Sequence, residues 1–321
     1  MPTLRQLNHA QTLASHRHFG QAAASLHLSQ PALTRSIMAL EATLGAQLFD
    51  RTAGGVIPTT FGEKLLARAS VILAESAELK REMDAMLGLE SGSLDVSMGH
   101  YPLEILGPEA GAALITRHPG LQLRLRSGDW REVTTRILQR ESELGIAEIS
   151  EAAADDRLEV EPLSRHRIYL YCRSGHPLTR GNDPIRFRDL LTYPWATSRV
   201  PRRIAGAFAG DDLRAGQTDP ASGDFVPAVE VEVSLASRRL VANCDAIAGE
   251  LLVQIERELD AGLLSLVPFQ QDWMRLNYGF ITLRGRTLSP AARVFMEEIR
   301  RLDRQVAAKE QTLRARFVTG F

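Results

Sequence analysis

The sequence predicts a mixed α/β chain in three successive parts: a small helical unit, a long charged helix and a larger region of two α/β lobes. Three observations carry this. Residues 1–60 show helical periodicity and contain only two acids, Glu41 and Asp50. Residues 61–88 are rich in charge and have neither Gly nor Pro between Gly62 and Gly88. From Ser91 onward short apolar strands alternate with helical stretches, the rhythm of an α/β domain. A length of 321 residues suits one small and one larger domain.

Composition narrows the class. With 44% hydrophobic and 24% charged residues the chain is neither disordered nor fibrous. No stretch approaches the roughly 18 apolar residues of a membrane span. The start, Met1-Pro2-Thr3-Leu4-Arg5, lacks the basic head and apolar run of a secretory signal. Two cysteines, Cys172 and Cys244, make no disulfide framework, so a reducing cytoplasm is expected and both thiols are read as core packing. The net charge of −1 hides a local excess: residues 1–60 hold four Arg against the two acids, a net +2, with four His besides. Lysine is scarce, at Lys64, Lys80 and Lys309 only, and that bias is given no functional weight.

The first part reads as three short helices and a hairpin. Leu4, Leu7, Ala10 and Leu13 share a face, and a second helix runs through 21–26. Leu28-Ser29-Gln30-Pro31 starts a third, with Ser29 as N-cap and Pro31 in the first turn, where its missing N–H is not needed. Leu33, Ile37, Leu40 and Leu44 line its inner face and Gly45 ends it. The outer face carries Gln30, Thr34, Arg35 and Met38. Amphipathic helices commonly serve packing alone, but the local positive charge favours DNA. So do side chains that match base edges: Gln for adenine, Arg for guanine, the Thr methyl for thymine.

These residues resemble a known family. Phe19, Ala22-Ala23-Ala24, Leu26, Leu28-Ser29-Gln30-Pro31-Ala32-Leu33-Thr34-Arg35, Ile37, Leu40-Glu41, Leu44-Gly45, Leu48-Phe49 and Arg51 resemble the winged helix-turn-helix of LysR-type transcriptional regulators. Pro58-Thr59-Thr60-Phe61-Gly62 stands where that family has Leu-Thr-x-Ala-Gly. The resemblance implies DNA contacts from Ser29, Gln30, Pro31, Thr34 and Arg35, and makes residues 50–60 the wing, with Arg51 and Thr59 near the DNA backbone or minor groove. That wing, Thr52-Ala53-Gly54-Gly55-Val56, lacks the Arg many relatives place there.

The second part, 61–89, holds Leu65, Ile72, Leu79 and Met86 at intervals of seven, with Ala69, Ser76 and Met83 as a second row. Such a heptad seam on a segment between globular regions is expected to bury itself in a second copy of the chain. Dimerisation doubles the phosphate contacts and matches a two-fold DNA site. In the family this helix pairs protomers and joins the DNA-binding domain to the sensor.

The third part, 90–321, opens with a strand at 94–98, a turn at Gly99-His100-Tyr101-Pro102 and a helix from about Leu103 to Arg117. A strand at 121–126, a helix through Trp130 and Ile137, and a buried strand at 144–147 complete a unit that takes ligands beyond the carboxyl ends of its strands. The chain leaves through 159–163 for a second lobe, about 164–267, that starts with a strand at 167–172. It returns along a strand at 276–283 to a final helix opened by Ser289-Pro290, so the first lobe comprises about 90–163 and 268–321. Two crossings with a cleft between halves is the layout of a periplasmic-binding-protein-like effector domain, which the family has.

By that resemblance a small-molecule effector meets Gly99, His100 and Tyr101, Ser127 and Asp129 from the first lobe. Thr197, Ser198, Arg199 and Ser234 meet it from the second. Converging helix N-termini and the charges of Arg199, Arg202 and Arg203 point to a carboxylate or phosphate, against the alternative of a solvated basic helix start. His100 is read as a ligand donor, a pH-sensitive group or neither. No Gly-x-Gly-x-x-Gly, Gly-x-Ser-x-Gly, His-Glu-x-x-His or Cys/His metal spacing is present, so no enzyme, cofactor or metal site is expected. The expectation is a cytoplasmic regulator that binds promoter DNA as a homodimer or homotetramer, its effector altering contact with RNA polymerase. A regulator with a closed cleft and no effector is the alternative.

Overall fold

The computed structural model describes residues 1–52, 55–87, 92–181, 183–205, 208 and 214–318, with the side chains of 81, 82 and 84–87 left aside. The Met86 side chain of the heptad seam therefore lies outside what is described. The chain divides into two compact units, residues 1–92 with 138–141, and residues 93–137 with 142–321.

In the first unit, α1 (Leu4–His16) begins with a capping box in which Thr3 and Gln6 satisfy each other's backbone N–H groups. Leu7, Ala10 and Leu13 turn inward as predicted, whereas Leu4 stays exposed. After α2 (Phe19–Ser25) comes α3 (Gln30–Leu44), which ends at Gly45 in the left-handed region, φ 68°. Leu33, Ile37 and Leu40 are buried with Ala10, Leu13 and Ala22, but Leu44 is not. A hairpin of β1 (Phe49–Thr52) and β2 (Gly55–Pro58) follows. The Glu41 carboxylate holds the hairpin to α3 by accepting the N–H of Leu48 at 2.8 Å.

Helix α4 (Thr60–Leu87) is 28 residues long, about 42 Å at 1.5 Å per residue. Gly62 in its first turn is required by packing: a Cβ there would lie 2.1 Å from the Leu48 carbonyl oxygen. Leu65 and Leu66 pack against the core of the first unit, and Ala69 is fully buried there. The seam is thus divided: Leu65 and Ala69 serve their own unit, while Ile72, Leu79 and Met83 are 47%, 61% and 47% exposed.

In the second unit the first lobe is a five-stranded sheet. Along the chain it uses β3 (Gly92–Met98), α5 (His100–Ile105), α6 (Gly107–Arg117), β4 (Leu121–Ser127), α7 (Trp130–Leu138), β5 (Leu144–Glu148) and β6 (Leu158–Pro162). Helix begins at His100 rather than at Leu103, and Leu106 breaks the predicted single helix into two. Gly107-Pro108 explains the break, because Pro starts a helix well and continues one poorly.

The second lobe contains β7 (Tyr169–Arg173), α8 (Phe187–Leu190), β8 (Ala196–Thr197), α9 (Arg202–Ala205), β9 (Gly216–Thr218), β10 (Phe225–Pro227), β11 (Val229–Glu230), α10 (Ser234–Val241), β12 (Ala248–Glu250), α11 (Leu252–Asp260) and β13 (Leu264–Leu266). The chain then returns as β14 (Tyr278–Leu283) and closes with α12 (Pro290–Phe317). Strand order is β4-β3-β5-β14-β6 in the first lobe and β12-β7-β13 in the second. Strand β14 runs antiparallel to both β5 and β6, whereas β3 and β5 are parallel.

The two crossings pair with each other. The Leu276 N–H donates to the His166 carbonyl and the Ile168 N–H to that of Met274, each at 2.9 Å. Asp303 on α12 fastens this ribbon, accepting from the Ser164 N–H at 2.9 Å, the Tyr278 hydroxyl at 2.8 Å and His166 Nε2 at 2.8 Å. Burial opposes ionisation of Asp303, but these donors outweigh it and hold its carboxyl down at about 2. Cys172 is buried, with its thiol pushed up to about 12 by burial. Cys244 is exposed, contrary to the core role expected of it.

Candidate functional site

The first unit presents the start of α3 to solvent. Ser29, Gln30, Pro31 and Arg35 are exposed and Thr34 is half-buried, above a floor of buried Leu33 and Ile37. Ser29 occupies the N-cap with extended backbone, φ −75° and ψ 147°, yet its hydroxyl makes no capping hydrogen bond. That corrects the role expected of it: Ser29 sets the helix start through its backbone while its side chain points to no intrahelical partner. Met38 continues the outward face at 60% exposure. The surface therefore offers a hydroxyl, an amide and a guanidinium within two turns, the donor and acceptor set that base edges and phosphates take.

Two flanking positions behave differently. The Arg51 guanidinium lies over the Phe19 ring, 4.9 Å from its centroid, and remains exposed. Thr59 is committed elsewhere: its hydroxyl donates to the Gln47 carbonyl at 2.8 Å and accepts from the Gly62 N–H at 3.1 Å. It caps α4, so its side chain is spent on structure rather than offered to DNA.

The second unit holds a cavity of about 240 Å³ between its lobes. Gly99, His100, Tyr101, Asp129, Thr197, Ser198 and Arg199 all line it. Ser127 does not; its hydroxyl stands behind His100, 3.2 Å from Nδ1. Ser234 also lies off the cavity, within 3.5 Å of Gln254. Sequence reasoning missed the apolar walls, Ile168, Leu170, Trp195, Phe208, Trp273 and Met274. The signal available was the aromatic density of 187–273. Phe187, Trp195, Phe208 and Trp273 stack edge to face, Phe187 to Trp273 at 5.5 Å.

The charges differ most from expectation. Arg199 donates to Glu230 at 3.1 Å and lies 3.5 Å from Asp219. Arg203 donates to Glu148 at 2.7 Å. Arg202 is not among the residues that line the cavity, and its backbone N–H donates to Asp224. The first turn of α7 is already occupied by a carboxylate, Asp129 Oδ1, which accepts from the N–H groups of Arg131 and Glu132 at 2.8 Å each. The bare cationic lining expected of an anion site is replaced by arginines already bound to acids.

Side chains also tie the lobes across the cleft. The Tyr101 phenol, kept protonated by burial, donates to the Gly249 carbonyl at 2.8 Å. Glu104 accepts from Arg238 and from Gln254, both at 2.7 Å. Arg131 pairs with Asp224, which is fully buried. Burial alone would raise the Asp224 carboxyl, but Arg131, Ser222 and the Arg202 N–H hold it below the usual range. Among the described residues no group of His, Cys, Asp and Glu is placed to hold a metal ion, and no helix is long and apolar enough to cross a membrane.

Comparison with known proteins matches this division. Residues 4–63 fit the model of the bacterial regulatory helix-turn-helix protein of the lysR family, and residues 87–304 fit that of the LysR substrate binding domain. The SDS degradation transcriptional activation protein of Pseudomonas sp. (strain ATCC 19151) is 36% identical over 295 residues, covering 91% of this chain and 94% of its own. The HTH-type transcriptional regulator CbbR of Rhizobium meliloti (strain 1021) is 32% identical over 301 residues, covering 91% of each. Among solved structures the fold resembles that of CbnR, a LysR family transcriptional regulator, with a TM-score of 0.60 at 20% identity, covering 94% of this chain and 99% of that one. CbnR complexed with its target DNA matches with a TM-score of 0.59, also at 20% identity, over 94% of this chain and 99% of that one. With both family models matched in order and relatives aligned nearly end to end, the chain belongs to the LysR family of transcriptional regulators.

Proposed function

We propose that this regulator binds a pseudo-palindromic promoter site as a homodimer or homotetramer in the cytoplasm and catalyses no reaction. A small molecule between the lobes of the second unit shifts the placement of its DNA-binding domains and so alters contact with RNA polymerase. The observation that carries the DNA reading is the exposed start of α3, where Ser29, Gln30, Thr34 and Arg35 stand over a buried floor. Gln and Arg there match adenine and guanine edges, and exposed Arg51 reaches the backbone. The exposed Ile72, Leu79 and Met83 support pairing through α4, with Ser76 between them. A neighbour in fold, CbnR, is known with its target DNA, and a relative is named for transcriptional activation.

The cavity supports an effector. One observation favours the second reading, a closed cleft that needs none: the ties from Glu104, Tyr101, Arg131 and Arg203 hold the lobes together through the protein's own groups. The DNA reading is tested by fluorescence anisotropy on the gene's upstream region. Gln30→Ala and Arg35→Ala should each cost about 1–3 kcal/mol of binding and relax base preference, at unchanged melting temperature. Unchanged affinity and preference in both variants overturn it.

A further inference from the structure

We infer that the effector is an uncharged molecule with an apolar body somewhat larger than a single benzene ring, rather than a carboxylate, phosphate or sulfate. This rests on the reading of the cleft as an effector site and names the chemistry it takes. The charges around the cavity are largely spent on one another. Arg199 is bound by Glu230 with Asp219 nearby, and Arg203 is bound by Glu148. Asp129 caps α7, and Glu132 accepts the Asp129 N–H at 3.1 Å. What remains on the lining is one basic and one acidic side chain, Arg275 and Glu232, one of each sign. An incoming anion must displace a carboxylate from its arginine or enter a lining that holds five carboxylates, Asp129, Glu132, Glu148, Glu230 and Glu232, against three arginines. An incoming cation can meet Glu232 alone; taking Glu148 or Glu230 instead leaves an arginine unpaired.

The attraction left is apolar. Ile168, Leu170, Trp195, Phe208, Trp273 and Met274 form walls, and the hydroxyls of Thr197 and Ser198 give neutral polar contacts at the edge. Size follows from volume: a cavity of about 150 Å³ holds benzene, so 240 Å³ accommodates a ring with a short substituent or an equivalent aliphatic chain.

The experiment uses full-length protein and probes that share one body: 3-phenylpropanol, 3-phenylpropionate and 3-phenylpropylamine, with octyl sulfate as a second anion. Melting temperature and calorimetric affinity are measured for each. The alcohol should stabilise the protein in proportion to its concentration and bind at least about tenfold more tightly than any ion of the series. Trp273→Ala, at a half-buried wall position, should lose about tenfold or more of the alcohol's affinity, and Val200→Phe, which enlarges another side chain of the cavity lining, should abolish it. Tightest binding by the propionate, the sulfate or the amine overturns the uncharged class and leaves the effector site standing. Absence of binding by the alcohol overturns it too. The effector site itself is judged separately, by a promoter reporter in cells: if Val200→Phe leaves transcription unchanged under all growth conditions, the effector reading fails whatever the probes do.

Discussion

The exposed start of α3 and the cleft are built by opposite means. Ser29 to Arg35 form one contiguous stretch, presented by a helix whose start, inner face and end are all encoded within about 17 residues. The cleft is assembled from the ends of β3 and β5, the start of α7, the segment after β8 and both crossing strands. A contiguous surface is specified by period and capping, which are local. A cleft is specified by which distant side chains neutralise one another, which is not. The former therefore tolerates reasoning from spacing, while the latter depends on partners.

The comparison breaks most severely at Gly62. Gly62→Ala places a methyl group 2.1 Å from the Leu48 carbonyl, and backbone cannot yield as a side-chain tip would. We expect a loss of about 3 kcal/mol or more in the first unit, read as abolished DNA binding and an early thermal transition, with the ligand response of the second unit retained. The counterpart in the second unit is Asp303→Asn. It removes the charge that His166, Ser164 and Tyr278 share, at a cost of about 3 kcal/mol at neutral pH. Because the Asp303 carboxyl is depressed to about 2 from 3.8, its contribution is present above pH 4 and lost as pH falls through 2. Acid titration of stability in wild type and variant checks this; parallel curves would refute it.

Two smaller effects sharpen the contrast. Leu79→Asp, on the exposed part of the seam, should lower the sedimenting mass toward the monomer and weaken DNA binding without lowering the melting temperature of either unit. Glu310 on α12 accepts the Val253 N–H at 2.7 Å and is pushed up to about 7 by burial. A raised carboxyl stabilises the fold fully below about pH 4.5 and loses that contribution as pH rises through 7. Glu310→Gln keeps an acceptor for Val253, so it should flatten this slope and raise stability at pH 8 by about 1 kcal/mol. Equal slopes in denaturant titrations at pH 5 and 8 would count against it.

Much of the fold was legible. Pro31, Gly45, and Ser289 before Pro290 are signals that act within a turn, and the helices start or stop where they stand. The returning strand was legible because β14 is itself almost wholly apolar. The split of α5 from α6 was missed although Gly107-Pro108 announces it. The short strands β8 to β12 pair over only two or three residues each, too few for a period to show. In the cleft, Gly99, His100, Tyr101 and Thr197 to Arg199, which the family resemblance pointed to, line the cavity. Ser127 and Ser234 sit at similar places in the chain but face other groups.

The sequence by itself determined the family, through an unbroken motif, and the inner face and end of α3, through spacing and capping within one element. Only the tertiary structure decided that Thr59 is a cap, that Ala69 belongs to its own unit and that Arg199 and Arg203 are already bound to acids. The reason is that a side chain's chemistry is set by its partner. Glu148 lies 55 residues from Arg203 and Glu230 lies 31 from Arg199, distances along the chain at which no local pattern records who meets whom.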